Sequence, residues 1–262
     1  MASSTDSVIP RAAFSFAERE ATCPEHGRFS SRQLSIKVWS KCPACVAEQR
    51  EAEETAARKA DEERAERRHR AMLSSARIPA RFIGRSFDNF ESTTDMQRRA
   101  VTIARDYAER FDHYRRKGQG LILSGQPGTG KSHLATAILQ AVLSPDVRYL
   151  TCMDLIRAVR ETWRKDSPRS ESEVLAYFER LDLLAIDEVG AQYGTDGEQN
   201  VIFDVLDRRY REVRPVLLLT NQDLEGFKKY VGERTYDRLG ETCRWVDFQW
   251  PTYRPTARRA AT

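Results

Sequence analysis

The sequence predicts an α/β protein, a parallel sheet covered by helices on both faces and preceded by a small metal-binding module and a charged helix. Three observations carry this. Short all-apolar runs alternate with amphipathic stretches from about residue 120 onward. A glycine-rich loop joins one such run to one such stretch, and two cysteine/histidine pairs with two-residue gaps stand near the N-terminus. Of 262 residues, 40% are hydrophobic and 31% charged, enough apolar side chain for one substantial core plus something small. The net charge is +4, which by itself does not demand a nucleic-acid partner.

Residues 1–21 are polar, rich in small side chains and without the apolar stretch of a secretory signal, so they read as a disordered N-terminus. No apolar run approaches the roughly 18 residues of a membrane helix. The expectation is a cytoplasmic protein with no membrane contact. Five cysteines, an odd number unevenly spread, do not make a disulfide framework.

Residues 22–46 form the module. Cys23-Pro24-Glu25-His26 and Cys42-Pro43-Ala44-Cys45 offer four ligands in two pairs. A two-residue gap lets both side chains of a pair reach one tetrahedral centre, so Cys23, His26, Cys42 and Cys45 are expected to bind zinc. Four protein ligands close the shell, which makes the site structural, and metal supplies the folding free energy that so short a segment lacks. The competing reading is a redox Cys-x-x-Cys, but the βαβ context of that motif is absent. Cys152 and Cys243 read as packing residues.

Residues 47–74 read as a charged linker helix. Between 47 and 70 stand eight acidic and seven basic residues, with alanine the only apolar type. Glu54/Arg58, Glu63/Arg67 and Glu66/Arg70 are acid-before-base pairs one turn apart. Without an apolar stripe the helix is a solvated spacer or a partner surface, and Ile78-Pro79 ends it.

Residues 75–262 form the main domain. Strands are expected at 120–124, 147–150, 183–186 and 216–220, and helices at 132–143, 153–163, 171–181 and 198–213. Gly125-Gln126-Pro127-Gly128-Thr129-Gly130-Lys131-Ser132 fits G-x-x-x-x-G-K-[ST], with an apolar strand before it and an amphipathic helix after it. Such a loop turns backbone N–H groups around phosphate oxygens at a helix N-terminus. Lys131 then meets the β- and γ-phosphates of ATP, and the Ser132 hydroxyl ligates Mg²⁺. The apolar run 183–186 delivers Asp187 and Glu188 at its carboxyl end, where α/β sheets bind ligands. Asp187 holds Mg²⁺ directly or through water, and Glu188 orients or deprotonates the attacking water. Asn221, after the strand 216–220, either contacts the γ-phosphate and that water or merely ends the strand. Arg234 and Arg238 lie one helical turn apart, solvated or paired with a carboxylate such as Glu233 or Asp237. The basic tail, with Arg254, Arg258 and Arg259, is a phosphate contact or a frayed end.

These motifs carry a resemblance. Gly125 to Ser132 followed by His133-Leu134-Ala135 resembles the initiator clade of AAA+ P-loop ATPases. The two helices between 153 and 181 look like that clade's helical insertion. Phe87-Asp88-Asn89-Phe90, Asp237-Arg238-Leu239 and the run Arg244-Trp245-Val246-Asp247-Phe248-Gln249-Trp250 with Tyr253-Arg254 are similar to DnaC-type replicative helicase loaders. The layout with a preceding Cys/His module resembles phage and prophage members of that group. The resemblance implies an AAA+ core that self-associates and hydrolyses ATP slowly, stimulated by assembly or DNA. It also implies loading of a hexameric DnaB-type helicase onto single-stranded DNA as replication initiates. It gives Asn221 a sensor role, Arg238 an arginine-finger role on a neighbouring subunit's ATP, and Arg254 a γ-phosphate sensor role within its own chain. The pair Arg209-Tyr210 also recurs in the family, without an assigned role. Two alternatives stay open. One is an IstB-like transposition helper sharing the core motifs. The other is a zinc-module adaptor using ATP only as a conformational switch, which would have no need of Glu188.

Overall fold

The computed structural model describes residues 17–142, 144, 146–191 and 195–253. The chain divides into two compact units, residues 1–67 and 68–262.

The first unit opens with strand β1 (Glu18–Cys23) paired antiparallel to β2 (Gly27–Ser35), which pairs in turn with β3 (Val38–Trp39). The ordered module therefore begins upstream of residue 22, and the expectation of disorder through residue 21 fails for residues 18–21. Their charges are held across the ladder. Glu18 pairs with Arg32 at 2.8 Å, and the Arg19 guanidinium lies 4.1 Å over the Trp39 ring. Residues 1–16 of that expectation lie outside the described residues.

Helix α1 (Pro43–Ala76) starts earlier than the expected 47 and ends two residues beyond 74. Proline at the first helical position is preset for the helix, so the second cysteine pair becomes its first turn. Of the expected pairs, Glu63–Arg67 forms at 3.7 Å, whereas Arg58 turns to Glu62 at 3.9 Å instead of Glu54. Arg77, at φ 53°, breaks the helix just before Ile78-Pro79.

The second unit contains α2 (Asp95–Glu109), α3 (Phe111–Arg116), β4 (Gly120–Gly125), α4 (Lys131–Ala141), β5 (Val147–Thr151), α5 (Cys152–Glu161) and α6 (Glu171–Arg180). There follow β6 (Leu183–Val189), α7 (Asp196–Arg211), β7 (Val216–Thr220), α8 (Leu224–Val231), α9 (Glu233–Thr242) and β8 (Cys243–Phe248). The five strands are all parallel, in the order β5-β6-β7-β4-β8. Alternate residues of each strand feed two cores. Leu121, Leu123, Leu183, Leu217 and Leu219 face the side covered by α2 and α4. Ile122, Leu184, Ile186 and Leu218 face α5, α6, α7 and α8. The expected sheet and its helical cover are thus present, with β8 added beside β4. Among the described residues no helix is long and apolar enough to cross a membrane.

Arg209 of the recurrent Arg-Tyr pair is fully buried in α7. Its guanidinium donates to the carbonyls of Phe178 and Glu179 at the end of α6 and of Pro215 before β7. It fastens the carboxyl end of α6 to the start of β7, a structural task. Cys152 is fully buried, and burial raises its thiol to about 11, as suits a packing residue.

Candidate nucleotide site and cysteine cluster

The loop 125–130 leaves β4 and enters α4 through Gly130 at φ 96°. A side chain there would be strained by the backbone and would strike the Phe90 ring at 2.5 Å. Gly125 faces the Phe248 backbone of β8 so closely that a Cβ would lie 2.4 Å from its carbonyl oxygen. Lys131, at the first position of α4, donates to the carbonyls of Gly125 (2.6 Å) and Gln126 (2.9 Å), and Thr129 Oγ1 also donates to Gln126 O (2.8 Å). The carbonyls of Gly125 and Gln126 thus have donors within the protein, and the backbone amides of such a loop are the groups an anion takes.

Asp187 stands at the carboxyl end of β6, opposite the loop. Its Oδ2 accepts from Ser132 Oγ at 2.8 Å and from the Tyr149 hydroxyl, and its Oδ1 accepts the Glu188 N–H at 2.7 Å. Ser132 and Asp187, the expected Mg²⁺ pair, are therefore in direct contact. A hydroxyl and a carboxylate oxygen side by side next to a phosphate loop are the hard oxygen donors that Mg²⁺ takes. Tyr149, on β5, escaped the sequence reading, since nothing in its spacing sets it apart from its strand neighbours. Burial, then the Asp187 charge, push its phenol well above the usual value, so it remains a donor at working pH.

Glu188 owes its position to a bulge. β6 and β7 pair at Ile186↔Leu218 and again at Val189↔Thr220, so two residues of β6 oppose one of β7. Glu188 takes up the extra length at φ 60°, an uncommon conformation for a side-chain-bearing residue, and is exposed beyond the sheet edge. Asn221 is exposed directly after β7. Its neighbours tie it to the turn after Glu188: Thr220 Oγ1 donates to Val189 O at 2.7 Å and Gln222 Nε2 to Gly190 O at 3.0 Å.

Arg238, on α9, pairs with neither Glu233 nor Asp237. It pairs with Asp207 of α7, and its guanidinium lies over the rings of Phe203 (5.5 Å) and Tyr210 (5.3 Å). Asp207 also holds Arg211 at 3.1 Å. Arg254 lies outside the described residues, as do Arg258 and Arg259; the chain is described up to Tyr253.

In the first unit, the ligand atoms of Cys23, His26, Cys42 and Cys45 all lie within 4.8 Å of one another. Cys45 Sγ is 3.4 Å from Cys23 Sγ and 3.3 Å from His26 Nδ1. His26 Nε2 sits 2.9 Å from Glu48 Oε1, one turn further along α1. Backbone donors of Glu25 and His26 bring the Cys23 thiol down to about 6. Three sulfurs and one imidazole nitrogen converging from a hairpin turn and a helix start fit zinc, and a carboxylate on the outer imidazole nitrogen is the usual orienting partner of such a ligand.

Comparison with known proteins follows the same lines. The sequence model of the IstB-like ATP binding protein family matches residues 49–261. The replicative helicase loader DnaC of Escherichia coli K12 is 39% identical over 173 residues, 64% of this chain and 69% of that protein. The DnaC of Buchnera aphidicola from Acyrthosiphon pisum is 34% identical over 187 residues, 70% of this chain and 74% of that protein. A crystal structure of the DnaC helicase loader is similar with a TM-score of 0.58 at 22% identity, covering 64% of this chain and 98% of that one. AMPPCP-bound DnaA from Aquifex aeolicus gives 0.53 at 20% identity, over 65% of this chain and 51% of that one. These two structures bear on the fold alone. With a phosphate loop, two acids on a bulged strand end and a family match over most of its length, the chain belongs to the IstB-like ATP-binding proteins and is an AAA+ ATPase.

Proposed function

We propose that this protein is an ATP-dependent loader of a hexameric DnaB-type replicative helicase onto single-stranded DNA. The observation that carries the reading is the 39% identity to a protein named as a replicative helicase loader. The intact set Lys131, Ser132, Asp187 and Glu188 supports turnover rather than a pure binding switch.

ATP enters with its phosphates against the loop amides. Lys131 exchanges the carbonyls of Gly125 and Gln126 for phosphate oxygens. Ser132 and Asp187 would hold Mg²⁺, which would supply positive charge to the phosphates. Glu188 orients a water for in-line attack on the γ-phosphorus and accepts its proton as the bond to the bridging oxygen breaks. Asn221 holds that water from the adjacent strand end. Arg238 leaves Asp207 to meet charge on a neighbouring subunit's γ-phosphate, so hydrolysis depends on assembly. Arg254 contacts the γ-phosphate of its own chain.

Cys23, His26, Cys42 and Cys45 hold one structural zinc, with Glu48 fixing the His26 ring. Metal analysis of protein purified without chelator finds one zinc per chain, and Cys42→Ser loses it while ATP binding persists; absence of metal from the wild-type protein refutes the site. The module and the start of α1 are the helicase-binding part. Pull-down from native host lysate with and without ATP recovers the hexameric helicase on the full chain and not after deletion of residues 1–70. A transposase recovered in its place would move the protein to the transposition-helper class.

A further inference from the structure

The run after β8 does more than close the sheet. Trp250 is buried, its ring 4.7 Å from that of Phe248, and its indole N–H donates to the carbonyl of Thr129 at 3.0 Å. Three residues on, the Tyr253 N–H donates to the carbonyl of Gly128, also at 3.0 Å. The Tyr253 hydroxyl donates to Glu91 at 2.9 Å, next to the Phe90 that packs against Gly130. Two consecutive carbonyls of the phosphate loop are thus held by donors from outside it.

The consequence follows from the planar trans peptide, in which the C=O of one residue and the N–H of the next point in opposite directions. Fixing Gly128 O outward aims the Thr129 N–H inward. Fixing Thr129 O outward aims the Gly130 N–H inward. The carbonyl of Gly125 has Lys131 as its donor and that of Gln126 has Lys131 and Thr129 Oγ1, and Lys131 is the group that turns to phosphate. The donors from 250–253 belong to no group that leaves when ligand arrives, so this half of the cradle is preset before binding.

We propose that Trp250 and the Tyr253 backbone clamp the outer face of the phosphate loop and set its affinity for the polyphosphate of nucleotides. Both are positioning residues, since they reach the ligand only through the loop. The proposal rests on residues 125–132 being the phosphate cradle.

The test is Trp250→Phe in the full-length protein, which keeps an aromatic ring beside Phe248, removes the N–H donor and leaves a smaller side chain. Affinities for ATP and for ADP both fall about tenfold, the scale of one lost hydrogen bond to a carbonyl left without a partner. KM for ATP rises in step, while kcat at saturating ATP is kept. A residue that merely stabilised the fold would not produce that split. Trp245→Phe, which removes an indole bonded to the Asp247 side chain on β8, leaves nucleotide affinity unchanged. Unchanged ATP and ADP affinities in Trp250→Phe overturn the clamp. If that variant does not fold, hydrogen exchange on the wild type decides: saturating ADP slows exchange of the Tyr253 amide, and unchanged exchange there overturns the proposal. Lys131→Ala separates the two levels. If it binds nucleotide like wild type, the cradle reading itself fails; if it loses binding while Trp250→Phe binds normally, only the clamp fails.

Discussion

Tyr149→Phe isolates one hydrogen bond at the metal end of the nucleotide site. The phenol is 4% exposed and donates to Asp187 Oδ2, the oxygen that also accepts from Ser132. A hydrogen bond to a charged group contributes about 1.5–3 kcal/mol. Asp187 keeps two donors in the variant, Ser132 Oγ and the Glu188 N–H, so the lower part of that range applies, about 1.5–2 kcal/mol. For a domain of this size that is a fall of roughly 3–8 °C in melting temperature. The functional effect is separate. In the proposed Mg²⁺ site the Ser132 hydroxyl would turn to the metal and Tyr149 would be the side-chain donor that keeps Asp187 oriented, and losing such a partner typically costs about 10–100-fold in metal affinity. The assay is a Mg²⁺ titration of ATP binding and of hydrolysis. The half-saturating Mg²⁺ concentration rises at least about tenfold, while ATP affinity in chelator is unchanged. The pH dependence has a definite sign. A phenol whose folded pKa is raised contributes stability that is fully present below the unfolded value of about 10 and lost as pH rises beyond it. The variant therefore loses less stability than the wild type above about pH 10. An unchanged Mg²⁺ requirement in a destabilised variant would show that Tyr149 only fills the core beneath Asp187.

The other predictions concern two arginines. Arg238→Ala binds ATP normally as an isolated subunit and loses assembly-stimulated hydrolysis, by less than the roughly 10³–10⁵ seen for arginine fingers in fast systems. Mixed with Glu188→Gln, it regains activity that neither has alone, because one composite site in the mixed assembly is complete; a mixture as inactive as its parts would keep Arg238 on Asp207 in a structural role. Arg209→Met strands the buried carbonyls of Phe178 and Pro215 and the part-buried one of Glu179 and costs about 3 kcal/mol or more, a melting point lower by roughly 6–12 °C, with ATP still bound below the transition. A melting temperature equal to wild type would refute the fastening of α6 to β7.

The parts of the site that could be read from the sequence are those built from consecutive residues. The loop 125–132 and the acids 187–188 each sit between flanks whose periodicity is unambiguous, so strand, turn and helix were all visible. What escaped depends on pairing across the sheet. Cys243–Phe248 sends Val246 and Phe248 into one core and packs Cys243 and Trp245 against the other, but its partner β4 lies more than a hundred residues earlier, and as an edge strand it carries the exposed Arg244 and Asp247 among its apolar residues. The carboxylate that meets Arg238 stands on α7, not within its own helix, where sequence proximity would place it. Two helix starts carry local signals. Thr94 and Gln97 form a capping box that announces α2, and Pro43 marks the first turn of α1.

Strand order explains why the loader-like C-terminal run meets the nucleotide site. In β6-β7-β4 three adjacent strands end in Asp187-Glu188, Thr220-Asn221 and the phosphate loop, so the groups proposed to act on water and to sense the γ-phosphate share one sheet edge with the loop. β8 joins on the free side of β4 in register Gly125↔Phe248. Parallel pairing then carries the chain past the strand end in the same direction as the loop. Residues 249–253 continue beside the loop, where Trp250 and Tyr253 find its carbonyls. A glycine at 125 is what permits this, because any side chain there would meet the Phe248 backbone. Gly125→Ala would therefore displace β8 and the loop together, whereas Trp250→Phe removes one of the two donors that the following segment gives the loop; the difference between the two variants separates what the sheet contributes to the site's order from what that donor contributes.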